Sequence, residues 1–174
     1  SHGWENFTKS SSYVAWWEVT PNETASTYHL QPRICTGTKA GLLVDPGAHD
    51  NLVGDRTLKM LADQAKIGGH EPSWKPLLRP MSVEGVGKEP QTATRACVMP
   101  IGLNGGVGSY TAPVVDNSDL PPLLGLKALA NGKAVLDMGD NRLILPGPGG
   151  IKYLLSPGST VLDLVKSNSG HLIL

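Results

Sequence analysis

Asp45 is the residue whose neighbours best equip it for chemistry. It ends the apolar run Leu42-Leu43-Val44 and opens the stretch Asp45-Pro46-Gly47-Ala48. A carboxylate at the end of a buried strand can take or give a proton, and a glycine two positions on lets backbone N–H groups approach it. Asp-Pro-Gly is also a common turn triplet, so on these residues alone Asp45 is either an acid/base group or a turn former. A second feature is Pro122-Leu123-Leu124-Gly125-Leu126-Lys127-Ala128-Leu129. There an apolar strand meets a glycine and a helix starts at once, a pattern that suits the close crossing of two backbones. The third feature, Val83-Glu84-Gly85-Val86-Gly87, lies between them and reads as the glycine-rich tip of a hairpin. Such a hairpin can close over a cleft, and a tight β-turn explains the same glycines.

Other candidates carry less. Leu136-Asp137-Met138-Gly139 holds a second aspartate before a glycine, at a position that reads as a hairpin turn. His2, His29, His49, His70 and His171 show no metal-ligand spacing, so no metal is expected. The run Gly102–Gly108 lacks the Gly-Lys-Ser/Thr ending of a phosphate loop. Cys35 and Cys97 could form one disulfide, and the simpler reading is two buried thiols. The triplets Asn6-Phe7-Thr8 and Asn22-Glu23-Thr24 match a glycosylation pattern, but Ser1–Lys9 is polar and does not read as a secretory leader, so they are read as chance.

The elements that must hold these residues are short and turn-rich. The 174 residues include 21 Gly and 14 Pro. An interior Gly or Pro costs a helix about 1 or 3 kcal/mol, which rules out a helical bundle. Hydrophobic residues at 40% supply a core, and a β-rich fold is what remains. Lys+Arg and Asp+Glu balance at 15 each, which gives none of the basic surplus of a nucleic-acid binder. No apolar run is long enough to cross a bilayer, so no membrane contact is expected.

Along the chain, residues 1–38 form an aromatic arm with strands at Tyr13–Val19 and Thr27–Cys35. A core domain is expected over 39–146. It begins with a strand at Gly41–Val44, followed by a helix at Asp55–Lys66 with Asp55 as its N-cap and Gly68-Gly69 as its stop. Pro72–Pro80 reads as an irregular loop, and Met81–Gly87 with Gln91–Ile101 as a hairpin. Asn104-Gly105 turns the chain into Ser109–Asp116, Leu123–Ala130 is a short helix closed by Asn131-Gly132, and Ala134–Asp137 pairs with Arg142–Leu145. The Pro-Gly-rich stretch 146–150 is a hinge into a C-terminal extension, 147–174, with strands at Ile151–Leu155, Thr160–Val165 and His171–Leu174.

The ordered set of three features resembles the retropepsin-like aspartic proteases of retroviruses and of copia- or gypsy-type retrotransposons. It also resembles the related domain of eukaryotic DNA-damage-inducible ubiquitin-shuttle proteins. The family pattern is an apolar run into Asp-Thr/Ser-Gly-Ala, a glycine-rich flap, then apolar-apolar-Gly opening a short helix, and a final hairpin. Here the order is Leu43-Val44-Asp45-Pro46-Gly47-Ala48, Gly85-Val86-Gly87, Leu123-Leu124-Gly125-Leu126, and Ala134–Asp137 with Arg142–Leu145. The likeness spans about residues 39–146.

It implies an all-β fold, a closed acid-protease barrel with one or two short helices, working as a homodimer that pairs one Asp45 from each copy. It implies cleavage of extended peptides in polyprotein processing, in the cytoplasm, without cofactor or metal. Gly47, Ala48, His49 and Asp50 would line the cleft and bind substrate backbone. Gly85, Val86 and Gly87 would close over the peptide, with Leu124 beside it. The terminal strands, His171–Leu174 among them, would add dimer contacts. The departure is Pro46, where the family has Thr or Ser. The missing hydroxyl removes a brace between the two active-site loops, and it opens a second reading: an inactive dimerisation or peptide-binding module of the same fold. The aromatic arm and the apolar C-terminal strand also allow a third, an assembly protein.

Overall fold

Alternation along one strand builds the core. In Gly106–Val115, the residues Tyr110, Ala112 and Val114 recur at every second position and are almost wholly buried. They face a helix, Asp55–Ile67, whose apolar residues Leu58, Leu61, Ala62 and Ala65 fall at helical spacing on one side. Val53, Cys97 and Met99 complete the same cluster. Truncating a side chain as enclosed as Leu58 to alanine costs about 2–5 kcal/mol.

The computed structural model describes residues 35–36, 39–83, 90–103 and 106–174. The aromatic arm before Cys35, the hairpin tip with Gly85, Val86 and Gly87, and the Asn104-Gly105 turn lie outside the described residues. The strands are β1 (Cys35–Thr36), β2 (Lys39–Ala40), β3 (Leu43–Asp45), β4 (Val53–Gly54), β5 (Ser73–Val83), β6 (Gln91–Leu103), β7 (Gly106–Val115), β8 (Leu123–Gly125), β9 (Val135–Asp137), β10 (Arg142–Ile144), β11 (Val165–Lys166) and β12 (Leu172–Ile173). The helices among the described residues are α1 (Asp55–Ile67) and α2 (Leu126–Asn131). The protein is mostly β with few helices. Among the described residues, no helix is long and apolar enough to cross a membrane.

One sheet has four strands in the order β4-β7-β6-β5, and the other strands pair in twos. A single bridge, Leu52 to Leu123, links the β3–β8 pair to the residue before β4. The described strands therefore form separate sheets and not one closed barrel. The ladders at the crossing are two or three residues long and stop where α1 and α2 begin.

The expected hairpin is present, with Val83 opposite Gln91 and Met81 opposite Ala93. Leu103 pairs with Gly106, and β9 pairs with β10 from Asp137–Arg142 to Val135–Ile144. Pro72–Pro80 is not a loop: β5 runs through it, with the register shifting between Pro76 and Met81. β5 is the edge strand, where a proline's missing N–H leaves no central ladder bond unmade.

Asp55 is not the N-cap of α1. Gly54 holds that position, and the Asp55 carboxylate accepts the Ser118 N–H at 3.0 Å. Burial pushes the Asp55 carboxyl pKa up, but N–H donors from Asn117, Ser118 and Arg56, with the Arg56 charge, outweigh it and hold the value below the usual one. The helix ends as expected. Gly69, at φ 79°, donates to the Lys66 carbonyl at 2.9 Å, and His70 donates to that of Ala65 at 2.9 Å.

Leu123–Ala130 is not one helix, because Leu123–Gly125 pairs as a strand before α2 begins. In the extension, no strand forms over Ile151–Leu155, and of Thr160–Val165 only the last residue joins one. Residues 152–164 are exposed throughout and join no ladder. The apolar end of the chain pairs with itself, Val165 opposite Ile173 and Lys166 opposite Leu172.

Candidate active site

β3 carries Asp45 to the crossing point by parallel pairing with β8. Leu43 lies opposite Leu123, Val44 opposite Leu124, and Asp45 opposite Gly125. Beyond β3 the chain turns on its own groups. The Asp45 carboxylate accepts the Gly47 N–H at 2.9 Å, and the Asp45 carbonyl accepts the Ala48 N–H at 3.1 Å. Pro46 has no N–H to place, so it costs this turn nothing there.

The loop then caps the second helix. The first N–H groups of a helix lack partners within it. Leu126 donates to the Ala48 carbonyl at 2.8 Å, and Lys127 donates to that of His49 at 3.0 Å. This contact requires a glycine at 125. A Cβ there would stand 2.5 Å from the Asp50 carbonyl oxygen and 2.9 Å from that of Ala48. Asn51 ties the crossing to the large sheet: its Oδ1 accepts the Gly125 N–H at 2.9 Å, and its Nδ2 donates to the Thr111 carbonyl at 3.0 Å.

Tyr110 adds a buried clip. Its hydroxyl lies 2.8 Å from the Leu52 carbonyl and 2.9 Å from that of Leu123, and shares its one proton between them. Burial, with a smaller contribution from Cys97, raises the Tyr110 pKa well above the usual phenol value. Burial alone pushes the Cys97 thiol up to about 11, so the free Cys97 is neutral and inert at neutral pH.

The structure brings Asp45, Pro46, Gly47, Ala48, His49 and Asp50 onto one loop against α2. Asp45 is half-buried, and Pro46 and Gly47 are exposed. Asp50 is not a free carboxylate, since it pairs with Lys127 at 3.4 Å in a solvent-screened contact. Leu124, one register position from the Asp45–Gly125 pair, lies in the wall of an apolar cavity of about 450 Å³ that also takes in Leu42, Val44, Leu61, Met99 and Leu143. Gly85, Val86 and Gly87 lie outside the described residues, though the strands leading to them are in place. Asp137 lies on the β9–β10 hairpin.

Sequence reasoning missed two contributors. Asn51 had no pattern to mark it. His171 reads in the sequence as the start of a terminal strand that adds dimer contacts, yet its Nε2 donates to the Gly47 carbonyl at 3.1 Å.

No protein-family model matches the chain, and no curated protein matches it. Among solved structures, it is similar to the retroviral protease-like domain of Ddi1 from Leishmania major. The likeness has 20% identity and a TM-score of 0.41, and covers 60% of this chain and 76% of that one.

Proposed function

We propose that this chain is a retropepsin-like aspartic endopeptidase that acts as a homodimer on extended peptides, such as segments of a longer polyprotein. The observation that carries the reading is the crossing itself: a carboxylate at the end of β3, tied into a turn by Gly47, on a loop packed against Gly125 and the start of α2. One chain supplies one such aspartate, and the chemistry needs two. Two Asp45 carboxyls about 3 Å apart cannot both ionise readily, so they share a proton. The ionised member takes a proton from a water, whose oxygen attacks the scissile carbonyl. The protonated member donates to the carbonyl oxygen and later helps the amine leave. The peptide adds as an extended strand along Gly47–Asp50.

Pro46 favours a second reading, a peptide-binding dimer without activity, because it offers no hydroxyl to brace two loops. Each hydrogen bond lost in this way is worth about 0.5–1.5 kcal/mol. The test is cleavage of a peptide library between about pH 3 and 7 by the native chain, Asp45→Asn and Pro46→Thr. The protease reading expects cleavage by the native chain, none by Asp45→Asn, and faster cleavage by Pro46→Thr. Undiminished cleavage by Asp45→Asn overturns it. Cleavage by Pro46→Thr alone supports the second reading.

A further inference from the structure

The C-terminal extension leaves the body of the protein and returns to it at one place. Residues 152–166 are exposed, and Gly170 and His171 then meet His49 and Gly47. That contact falls on the Asp45 loop. Gly170 is buried and packs closely against the His49 ring. A Cβ on Gly170 would run into that ring, and the φ of 88° there suits glycine alone. The His171 ring lies 6.1 Å from the His49 ring, tilted by 57°.

A closed chain of donors fixes the His171 ring. The Gly47 carbonyl can only accept, so Nε2 carries a proton, and in the neutral imidazole Nδ1 is the acceptor. Ser169 Oγ then donates to Nδ1 at 2.9 Å, and Ser167 Oγ donates to Ser169 Oγ at 2.8 Å. The His171 N–H donates to Ser167 Oγ at 3.1 Å, which closes the ring of bonds. The two serine hydroxyls and the His171 N–H are all engaged, and the imidazole is held in one direction.

We infer that the Ser167–His171 turn is an intramolecular strap that covers the peptide-binding edge of the Asp45 loop and must lift before an extended substrate can bind. This rests on the endopeptidase reading. A peptide adding as a strand must present its own N–H groups to the loop carbonyls. The imidazole of His171 occupies Gly47, the carbonyl two residues past Asp45, and Gly170 covers His49. The Asp45 carboxylate bonds within its own turn, and among the described residues no hydrogen bond ties it to the strap. The tether leaves Leu154, Leu155, Leu162 and Leu164 at least half exposed, and the contacts of Gly170 and His171 hold the strap to the loop. A contact so local is one a bound peptide can displace.

The experiment uses the full chain, as the native protein, Gly170→Ala and His171→Ala. NMR follows the ring signals of His49, calorimetry follows an uncleavable extended peptide bearing a hydroxyl in place of the scissile carbonyl, and a reporter peptide gives kinetics. The strap predicts that both variants shift the His49 ring signals and bind the isostere about tenfold more tightly, as when a binding-competent state held near a tenth of the population becomes dominant. kcat/KM should rise through KM, with kcat unchanged. His49 signals identical in all three proteins overturn the strap and leave the protease reading standing. Shifted signals with equal or weaker isostere binding also overturn it, because the turn would then be a brace of the loop and not a cover. If no form binds the isostere or cleaves, the protease reading itself falls, and the strap's role as a gate falls with it.

Discussion

In the turn at Asp45 the carboxylate accepts the Gly47 N–H at 2.9 Å, and in the turn at Asp137 it accepts the Gly139 N–H at 3.0 Å. Both turns follow a three-residue strand that ends in Leu-Val-Asp or Val-Leu-Asp. Their surroundings differ. Asp45 lies opposite Gly125 in a parallel pair drawn from the far side of the sequence, and its loop carbonyls cap a helix. Asp137 lies opposite Arg142 in a plain hairpin and takes a second bond from the Asp140 N–H, with Met138 in solvent. An Asp-x-Gly turn is thus a local habit of the backbone. A second strand through the crossing, and a glycine that lets it pass, separate the candidate site from the hairpin.

The largest effect that could break this contrast is catalytic. Asp45→Asn should lower peptide cleavage by about 10²–10⁴-fold or more, the usual worth of an acid/base group. Asp137→Asn should leave it within about twofold, the span of an exposed-surface change. Equal losses in the two variants would erase the distinction.

The next effect is steric. Gly125→Ala places a methyl 2.5 Å from a backbone oxygen, whereas at Gly139 a methyl meets nothing nearer than the Asp137 Oδ1 at 3.4 Å. Urea unfolding should show a loss of about 3 kcal/mol for the first, at the upper end of overpacking costs. Gly139→Ala should fall within about 0.5 kcal/mol of the native chain.

Tyr110→Phe sharpens the comparison at smaller scale. It deprives the Leu52 and Leu123 carbonyls of a buried donor and should cost about 1–3 kcal/mol in the same assay.

The smallest effect depends on pH. The folded Asp55 carboxyl is held below its usual value of 3.8, so its contribution is present above that value and lost as pH falls through the folded one. Asp55→Asn should be less stable at neutral pH by about 1 kcal/mol, and the gap should close below about pH 3.8. A gap that persists at low pH would mean that Asp55 acts by shape and not by charge.

Local signals told much of this in advance. The Asp45 turn, the strand-then-helix change at Gly125, the stripe of α1 and the presence of the hairpins all follow from residues close in sequence. What escaped depends on distance or on position in the sheet. Pro76 and Pro80 spoke for a loop because edge position, which tolerates them, is a property of the assembled sheet. Asn51 carries no pattern of its own, and its role appears only when Thr111 and Gly125 arrive on either side of it. His171 reaches Gly47 across 124 residues, a contact that no local periodicity encodes. Asp55 had the right type for a cap and the right helix, but the N–H it serves belongs to Ser118, on the chain segment before β8.

The central claim concerns two copies of one aspartate, and a crystal structure of the dimer would test it most directly. A catalytic pair requires the Asp45 carboxyl oxygens of the two copies to lie within about 3 Å of each other, close enough to share a proton. Two Asp45 carboxyls held well beyond hydrogen-bond reach in that dimer would contradict it.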